Sequence, residues 1–414
     1  MTTPPDRRLR DRVPSSAVIR RRRAVAGAAA GLAVLAVVLL VLVGSQGGAP
    51  RYVPSGASGK LLSSGSRTLP KSGGPAFKPA PGASARVRTM PLATQVAQLF
   101  LVTVSGRTPA LAAQLGAVPW GGVVFGRSNA SNVREVARLA RTVQARLGHL
   151  AGDAPLLGAT QEGGAQSAFP FLPPKGQAAL GATGDPTRAR EQALLAGRRL
   201  RALGVRLTLA PLADVDTPSG ALSGRLFGSD PSAVAKFTGA ALSGYAGAGV
   251  IAAAGHFPGS GGASADPDQM TATVGGSLTQ LETRDLIPFT AVRARTPVML
   301  MSNAAYVAFD GVTPASLSEP AVKLLRQELH FQGVVMSDDL DATLQPTGAQ
   351  PGAVALQALQ AGVDLLYISG SPSEQQAALQ GVLSSAQHSA ATRALVHKAL
   401  LRVLSLKARY GLLR

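Results

Sequence analysis

The chain has 414 residues, 46% of them apolar, and a formal net charge of +19. That length accommodates one large domain with additional segments, and the absence of cysteine excludes disulfides, a thiolate metal site and an acylated lipoprotein anchor. The charge does not argue for nucleic acid: residues 1–89 hold 15 Lys or Arg against Asp6 and Asp11, so +13 of it lies there and +6 remains for the rest.

Arg7, Arg8, Arg10, Arg12 and Arg20 to Arg23 make residues 1–23 a basic tail. An uncharged apolar run follows from Ala24 to Val43. At about 1.5 Å per residue such a run spans about 30 Å, the hydrocarbon core of a bilayer. Signal-peptide apolar regions are shorter, about 7–15 residues. Residues 24–44 are therefore expected to be a membrane-spanning anchor, with the arginines cytoplasmic and the remainder on the extracytoplasmic side of the cell membrane. Cleavage after the run, giving a secreted protein, is the alternative. Residues 45–89 are rich in Gly, Ser, Pro and Ala, the composition of a flexible linker. Its positive charge suits anionic envelope polymers or lipid surfaces.

From Met90 on, short apolar runs alternate with segments of helical period. The runs are Val96–Val104, Gly122–Phe125, Pro155–Ala159, Val205–Ala210, Val250–Ala254, Pro297–Met301, Gly333–Met336 and Asp364–Ile368. Helical patterns include Asn132–Leu147, Arg188–Leu203, Ala233–Ala246 and Pro320–Leu329. Eight such repeats predict a single (β/α)8 TIM barrel over residues 90–414. An open doubly wound sheet is the alternative, weakened because no GxGxxG or Walker loop follows the first strand.

Barrels of this kind carry their chemistry at the C-terminal ends of the strands. Read in order, those ends give Thr160-Gln-Glu-Gly-Gly164, then Asp214, then Gly255-His-Phe-Pro-Gly259 with Asp266 and Asp268 in the loop beyond. Ser302-Asn303 and Ser337-Asp-Asp339 follow. For the last, a catalytic acid and a cap for the next helix are both open readings. No His/Glu/Asp set has convincing metal spacing, and no G-x-S-x-G elbow is present. Carboxylates on separate barrel loops suit cleavage of glycosidic bonds.

These segments, in this order, resemble the family 3 glycoside hydrolases, and within them the single-domain bacterial β-N-acetylhexosaminidases. The resemblance runs from about Met90 to Leu413. It rests on Gly121-Gly-Val-Val-Phe125, Gln161-Glu-Gly-Gly164, Ala210-Pro-Leu-Ala-Asp-Val215 and Gly224-Arg-Leu-Phe-Gly-Ser-Asp-Pro231. His256-Phe-Pro-Gly259, Asp285-Leu-Ile-Pro-Phe289, Gly333–Leu340 and the closing Leu406-Lys-Ala-Arg-Tyr-Gly-Leu412 complete it. It implies a barrel, a retaining mechanism, no cofactor, and an amino-sugar glycan such as a peptidoglycan fragment as substrate. By position, Asp338 matches the nucleophile, Arg225 and His256 match residues that hold sugar hydroxyls, and Thr160 and Glu162 fall in the substrate-binding segment. Asp266 matches the aspartate of an Asp-x-His pair whose histidine is the acid/base.

The chain departs from that pattern at named positions. Asp268 stands where the resemblance expects the acid/base histidine, and Gly255 where it expects a lysine. Ser260, Thr160 and Ala168 stand in place of a second histidine, an aspartate and an arginine. Three readings follow: a glycosidase in which Asp268 is the acid/base, a degenerate barrel that binds envelope glycans without hydrolysis, and a tethered partner-binding protein. The chain is 4% aromatic, and Phe227, Phe257 and Tyr306 are the candidates for stacking on a sugar face.

Overall fold

The computed structural model of the protein describes residues 77–106 and 111–413. The anchor expected over residues 24–44 and most of the linker lie outside the described residues. Among the described residues, no helix is long and apolar enough to cross a membrane.

In chain order the strands are β1 (Phe100–Val102), β2 (Gly122–Phe125), β3 (Leu156–Ala159), β4 (Leu207–Thr208) and β5 (Ile251–Phe257). They continue with β6 (Thr273–Val274), β7 (Val298–Met301), β8 (Ala305–Tyr306), β9 (Val334–Asp339) and β10 (Leu365–Ile368). Eight close into a parallel barrel in the order β1-β2-β3-β4-β5-β7-β9-β10, with β10 pairing back to β1. Each of the expected eight apolar runs thus supplies one strand of the barrel wall, which is the predicted (β/α)8 arrangement, although Val96 and Ala97 of the first run end the helix Leu92–Ala97 instead. β6 and β8 pair separately as a two-stranded parallel ribbon, which periodicity did not suggest because each is two residues long.

The wall is tight enough to select residues. Gly122 pairs with Leu156, and a Cβ on Gly122 would sit 2.0 Å from the Leu156 carbonyl oxygen. Helices cover the outside by the usual devices. Val133–Ala151 begins where the Asn132 side chain accepts from the amides of Arg134 and Glu135. It buries Val136, Leu139, Ala140, Val143 and Leu147, spaced for one face. Asp185 and Asp230 cap Pro186–Ala202 and Pro231–Ala248 in the same way, each with proline at the first helical position.

Three differences from the sequence reading matter for the site. β5 runs through His256 to Phe257, and β9 runs through Asp338 to Asp339, so both side chains sit on strand rather than on loop. The pattern over 320–329 is an α-helix Glu319–Lys323 continued by a π-helical turn Leu324–Glu328. The last part of the expected linker is packed: Ala83–Thr89 is a helix with Ala83 and Val87 buried, and Arg86 pairs with the buried Asp153 at 2.7 Å. Small residues on that helix disguised it as tether.

Candidate active site

The site forms where β3, β5, β9 and β10 emerge together. A cavity of about 180 Å³ is lined by Thr160, Glu162, Leu209, His256, Asp268, Leu300, Asp338, Asp339 and Tyr367. That is below the about 300–1,000 Å³ of clefts for drug-sized ligands, so the space suits a single sugar ring.

Asp338 is a buried acid of this cavity, 5% exposed. Its Oδ1 accepts from the Asp339 amide at 2.8 Å, whereas Oδ2 is buried without a hydrogen-bond partner. Burial, and then the Asp268 charge, push the Asp338 carboxyl well above its ordinary range despite the opposing pull of His256. The neighbouring acid does the capping work instead: Asp339 Oδ1 accepts from the amides of Asp341 and Ser369. The cap and the free acid are therefore adjacent residues of one strand end. The Asn303 side-chain amide donates to the Asp339 carbonyl at 2.6 Å and fixes that end.

His256 faces Asp338, with Nε2 3.8 Å from Oδ2. Its Nδ1 meets Asp214 Oδ2 at 2.8 Å, and that oxygen also accepts the His256 amide. Burial works against the imidazolium, but the Asp214 carboxylate, joined by Asp338 and Asp268, raises the His256 pKa to about 10. Asp214 is itself held by the Ser260 amide at 2.6 Å. Ser260 Oγ joins Ser302 Oγ and the Tyr306 hydroxyl in a buried chain. The position where the resemblance expects a second histidine is thus a structural serine.

Arg225 gathers three acids. It grips Glu162 through both terminal and inner nitrogens, at 2.9 and 3.3 Å, and reaches Asp266 at 3.1 Å and Asp268 at 3.4 Å. Asp266 does not line the cavity; its Oδ1 accepts the Asp268 amide and so shapes the loop that presents Asp268. Arg225 and Glu162 are both nearly buried. Removing one partner of such a pair strands the other charge. Arg225→Met is expected to cost about 3–5 kcal/mol of stability, read as a lowered midpoint in urea unfolding. An unchanged midpoint would mean that Glu162 is neutral or solvated.

The structure therefore brings together Asp338, Asp268, His256, Glu162 and Thr160 at one cavity, with Arg225 behind them and Asp266 in the second rank. The expected aromatics are corrected. Phe227 stacks on Phe237, Phe257 packs edge-on to Phe289, and Tyr306 is fully buried. Tyr367, which no motif marked, is the aromatic lining the cavity. Gln161 was also missed: its side chain bonds Phe169 at both amide and carbonyl and shapes the loop after β3. At Gly255 a Cβ would meet Leu300 side-chain atoms at 3.0 Å, a crowding that only the folded barrel reveals. Although no spacing suggested a metal set, donor atoms of His256, Asp268 and Asp338 all lie within 4.8 Å of one another.

Comparison with known proteins agrees with this fold. Residues 92–406 match the glycosyl hydrolase family 3 N terminal domain. A β-hexosaminidase from Stenotrophomonas maltophilia strain R551-3 is 33% identical over 259 residues, covering 60% of this chain and 75% of that protein. The β-hexosaminidase LpqI of Mycobacterium tuberculosis is 35% identical over 239 residues, covering 52% and 59%. A family 3 β-N-acetylglucosaminidase from Paenibacillus sp. superposes with a TM-score of 0.73 at 30% identity, over 78% of this chain and 63% of that one. The β-N-acetylhexosaminidase of Beutenbergia cavernae gives 0.70 at 30% identity, over 78% of this chain and 99% of that one.

Proposed function

Because the chain belongs to glycosyl hydrolase family 3, we propose that it is a retaining glycosidase acting on β-linked N-acetylhexosamines. Asp338 is its nucleophile and Asp268 its acid/base. The observation that carries this is the closeness of the two carboxyls, whose nearest oxygens lie within 4.8 Å. Retaining enzymes keep their pair about 5–5.5 Å apart, whereas inverting ones need about 6.5–9.5 Å to admit water between them.

In the first step Asp338 Oδ2 attacks the anomeric carbon, the glycosidic C–O bond breaks, and the leaving oxygen takes a proton from Asp268. In the second, water loses a proton to Asp268 and displaces Asp338 from the same carbon. The free Oδ2 has no hydrogen bond to surrender before it attacks. His256, held charged by Asp214, stabilises the Asp338 anion and donates to the sugar. Amino-sugar glycans such as peptidoglycan fragments are the proposed substrates, and residues 24–44 the proposed anchor that sets the barrel against the envelope. Fractionation of the full chain with membranes tests the anchor. Proton NMR of the first-formed product tests the mechanism, with retained β configuration expected and initial α product contradicting it.

The pH profile follows from the same charges. Asp338 must be ionised, and its raised pKa places the acid limb of kcat/KM above about 3.9, the ordinary aspartate value. His256 stays charged until about pH 10, so on an aryl glycoside, whose leaving group needs no acid, activity is expected to persist through neutrality and fall near that pH. A descending limb near 6.5, the ordinary histidine value, would show that Asp214 does not hold the proton on His256.

One observation favours the second reading, glycan binding without hydrolysis: Asp268 is ion-paired to Arg225 at 3.4 Å rather than free. On that reading saturable binding survives Asp338→Asn and no glycoside is turned over.

A further inference from the structure

We propose that the end of the barrel opposite the catalytic cavity carries a binding site for a phosphoryl anion, built around Arg402 and Lys398. The site does not depend on the glycosidase reading.

A cavity of about 250 Å³ lies where the chain enters β10, with Gly362, Val363 and Asp364 in its wall. Four cations line it, Lys323, Arg326, Lys398 and Arg402, against two acids, Glu319 and Asp364, so two positive charges are left over. Glu319 is taken by Lys323 at 2.9 Å. Asp364 Oδ2 accepts from Arg326 at 2.5 Å and from the Val335 amide at 2.9 Å. Arg402 is served least. It is 9% exposed, yet its Nη1 stands 3.5 Å from Asp364 Oδ1, where a charge-assisted bond is about 2.7–2.9 Å. Its Nε is buried with no hydrogen-bond partner. One face of the guanidinium is covered by the Phe77 ring, whose centroid is 5.0 Å from Cζ. Buried donors are ordinarily paired, and an oxyanion on the free edge of Arg402 would supply the missing acceptor.

That edge offers two parallel N–H donors, the fork that matches phosphate and carboxylate oxygens. Two surplus positive charges select between them, because a phosphate or its monoester approaches two negative charges and a carboxylate carries one. Burial, opposed by Asp364 and joined by repulsion from Arg402, lowers the Arg326 pKa, so an anion placed here relieves two crowded like charges. Lys398 is exposed one turn before Arg402 on the same face of the helix Ala390–Arg409, where it can close on the outer oxygens. The segment leading to Phe77 cannot neutralise the site with a side chain of its own, since residues 12–76 contain no Asp or Glu. Val322, Leu359 and Leu395 also line the cavity and leave apolar room for an ester substituent. Free phosphate and the headgroup of an anionic lipid share this chemistry.

Calorimetric titration of the full-length protein at constant ionic strength tests the site, with inorganic phosphate in one arm and dihexanoylphosphatidic acid below its micelle concentration in the other. Saturable binding of one anion per chain is expected. Arg402→Met should weaken it by about 10–100-fold, the scale of a lost charged hydrogen bond. Arg402→Lys keeps a charge for Asp364 but loses the fork, and should weaken binding about tenfold. It decides the matter if circular dichroism shows that Arg402→Met does not fold. Lys398→Ala, on the surface, should cost about 2–5-fold, and Lys236→Ala, exposed on Pro231–Ala248, should cost nothing. Tighter binding of the lipid analogue, lost in the same variants, assigns the site to a headgroup, whereas equal affinities assign it to the phosphoryl group alone. Saturable binding of neither anion, or binding undiminished in both Arg402 variants, overturns the site. Acetate held as tightly as phosphate overturns the choice of a phosphoryl group.

Discussion

Asp338→Asn is expected to lower kcat/KM on an aryl β-N-acetylglucosaminide by about 10⁴–10⁶-fold, the scale set by loss of a covalent nucleophile. The protein should meanwhile stay folded. Asparagine fits the same space, keeps an oxygen for the Asp339 amide, and carries no charge into a site where burial opposes one. The direction of the stability change can be worked out. A carboxyl with a raised folded-state pKa contributes stability below its unfolded value of about 3.9, and that contribution is lost as pH rises through the folded value. The wild type loses it as Asp338 ionises, whereas the amide never ionises. The variant should therefore melt no lower than wild type at pH 7, with any advantage vanishing below about pH 4. Lost activity with a lowered melting temperature would instead indicate a structural role. Retained activity would remove Asp338 from the chemistry.

The second large effect divides by leaving group. Asp268→Asn should slow hydrolysis of a disaccharide by about 10²–10⁴-fold, because a sugar alkoxide needs a proton as it departs. A nitrophenolate leaves without help, so the first step on the aryl substrate should be nearly unchanged. The second step still needs a base to activate water. A burst of nitrophenol equal to the enzyme concentration, followed by slow turnover, is the expected trace. Equal losses on both substrates, with no burst, would show that Asp268 only shapes the cavity. The resemblance expects histidine here, and the proposal gives that role to Asp268. Its loop is set by Asp266 and its carboxyl lies within reach of Asp338.

Much of this was legible in sequence because strands buried on both faces read as continuous apolar runs. Gly122–Phe125 appears in the structure with the same bounds, and the runs at β3, β7 and β10 differ only by a residue at one end. The ends were harder to read. β9 carries polar Ser337, Asp338 and Asp339 while remaining strand, since Ser337 Oγ accepts the Tyr367 amide and Asp339 accepts that of Ser369. Those partners are some thirty residues away, invisible to any local pattern. Long separation likewise hid Tyr367 at the cavity and, across 42 residues, the hold of Asp214 on His256. Motif order located Arg225, but only the fold shows it binding Glu162, Asp266 and Asp268 together. The helix Ala83–Thr89 was misread because its buried face is just Ala83 and Val87, too little apolar signal to separate from linker.

The central claim is a covalent bond to Asp338, and it can be seen directly. The Asp268→Asn protein, mixed with an aryl β-N-acetylglucosaminide and quenched in acid during slow turnover, is digested and analysed by mass spectrometry. The account predicts one N-acetylhexosaminyl adduct, on the peptide containing Asp338 and on that residue. An adduct on another carboxylate, or turnover with no adduct at all, would contradict it.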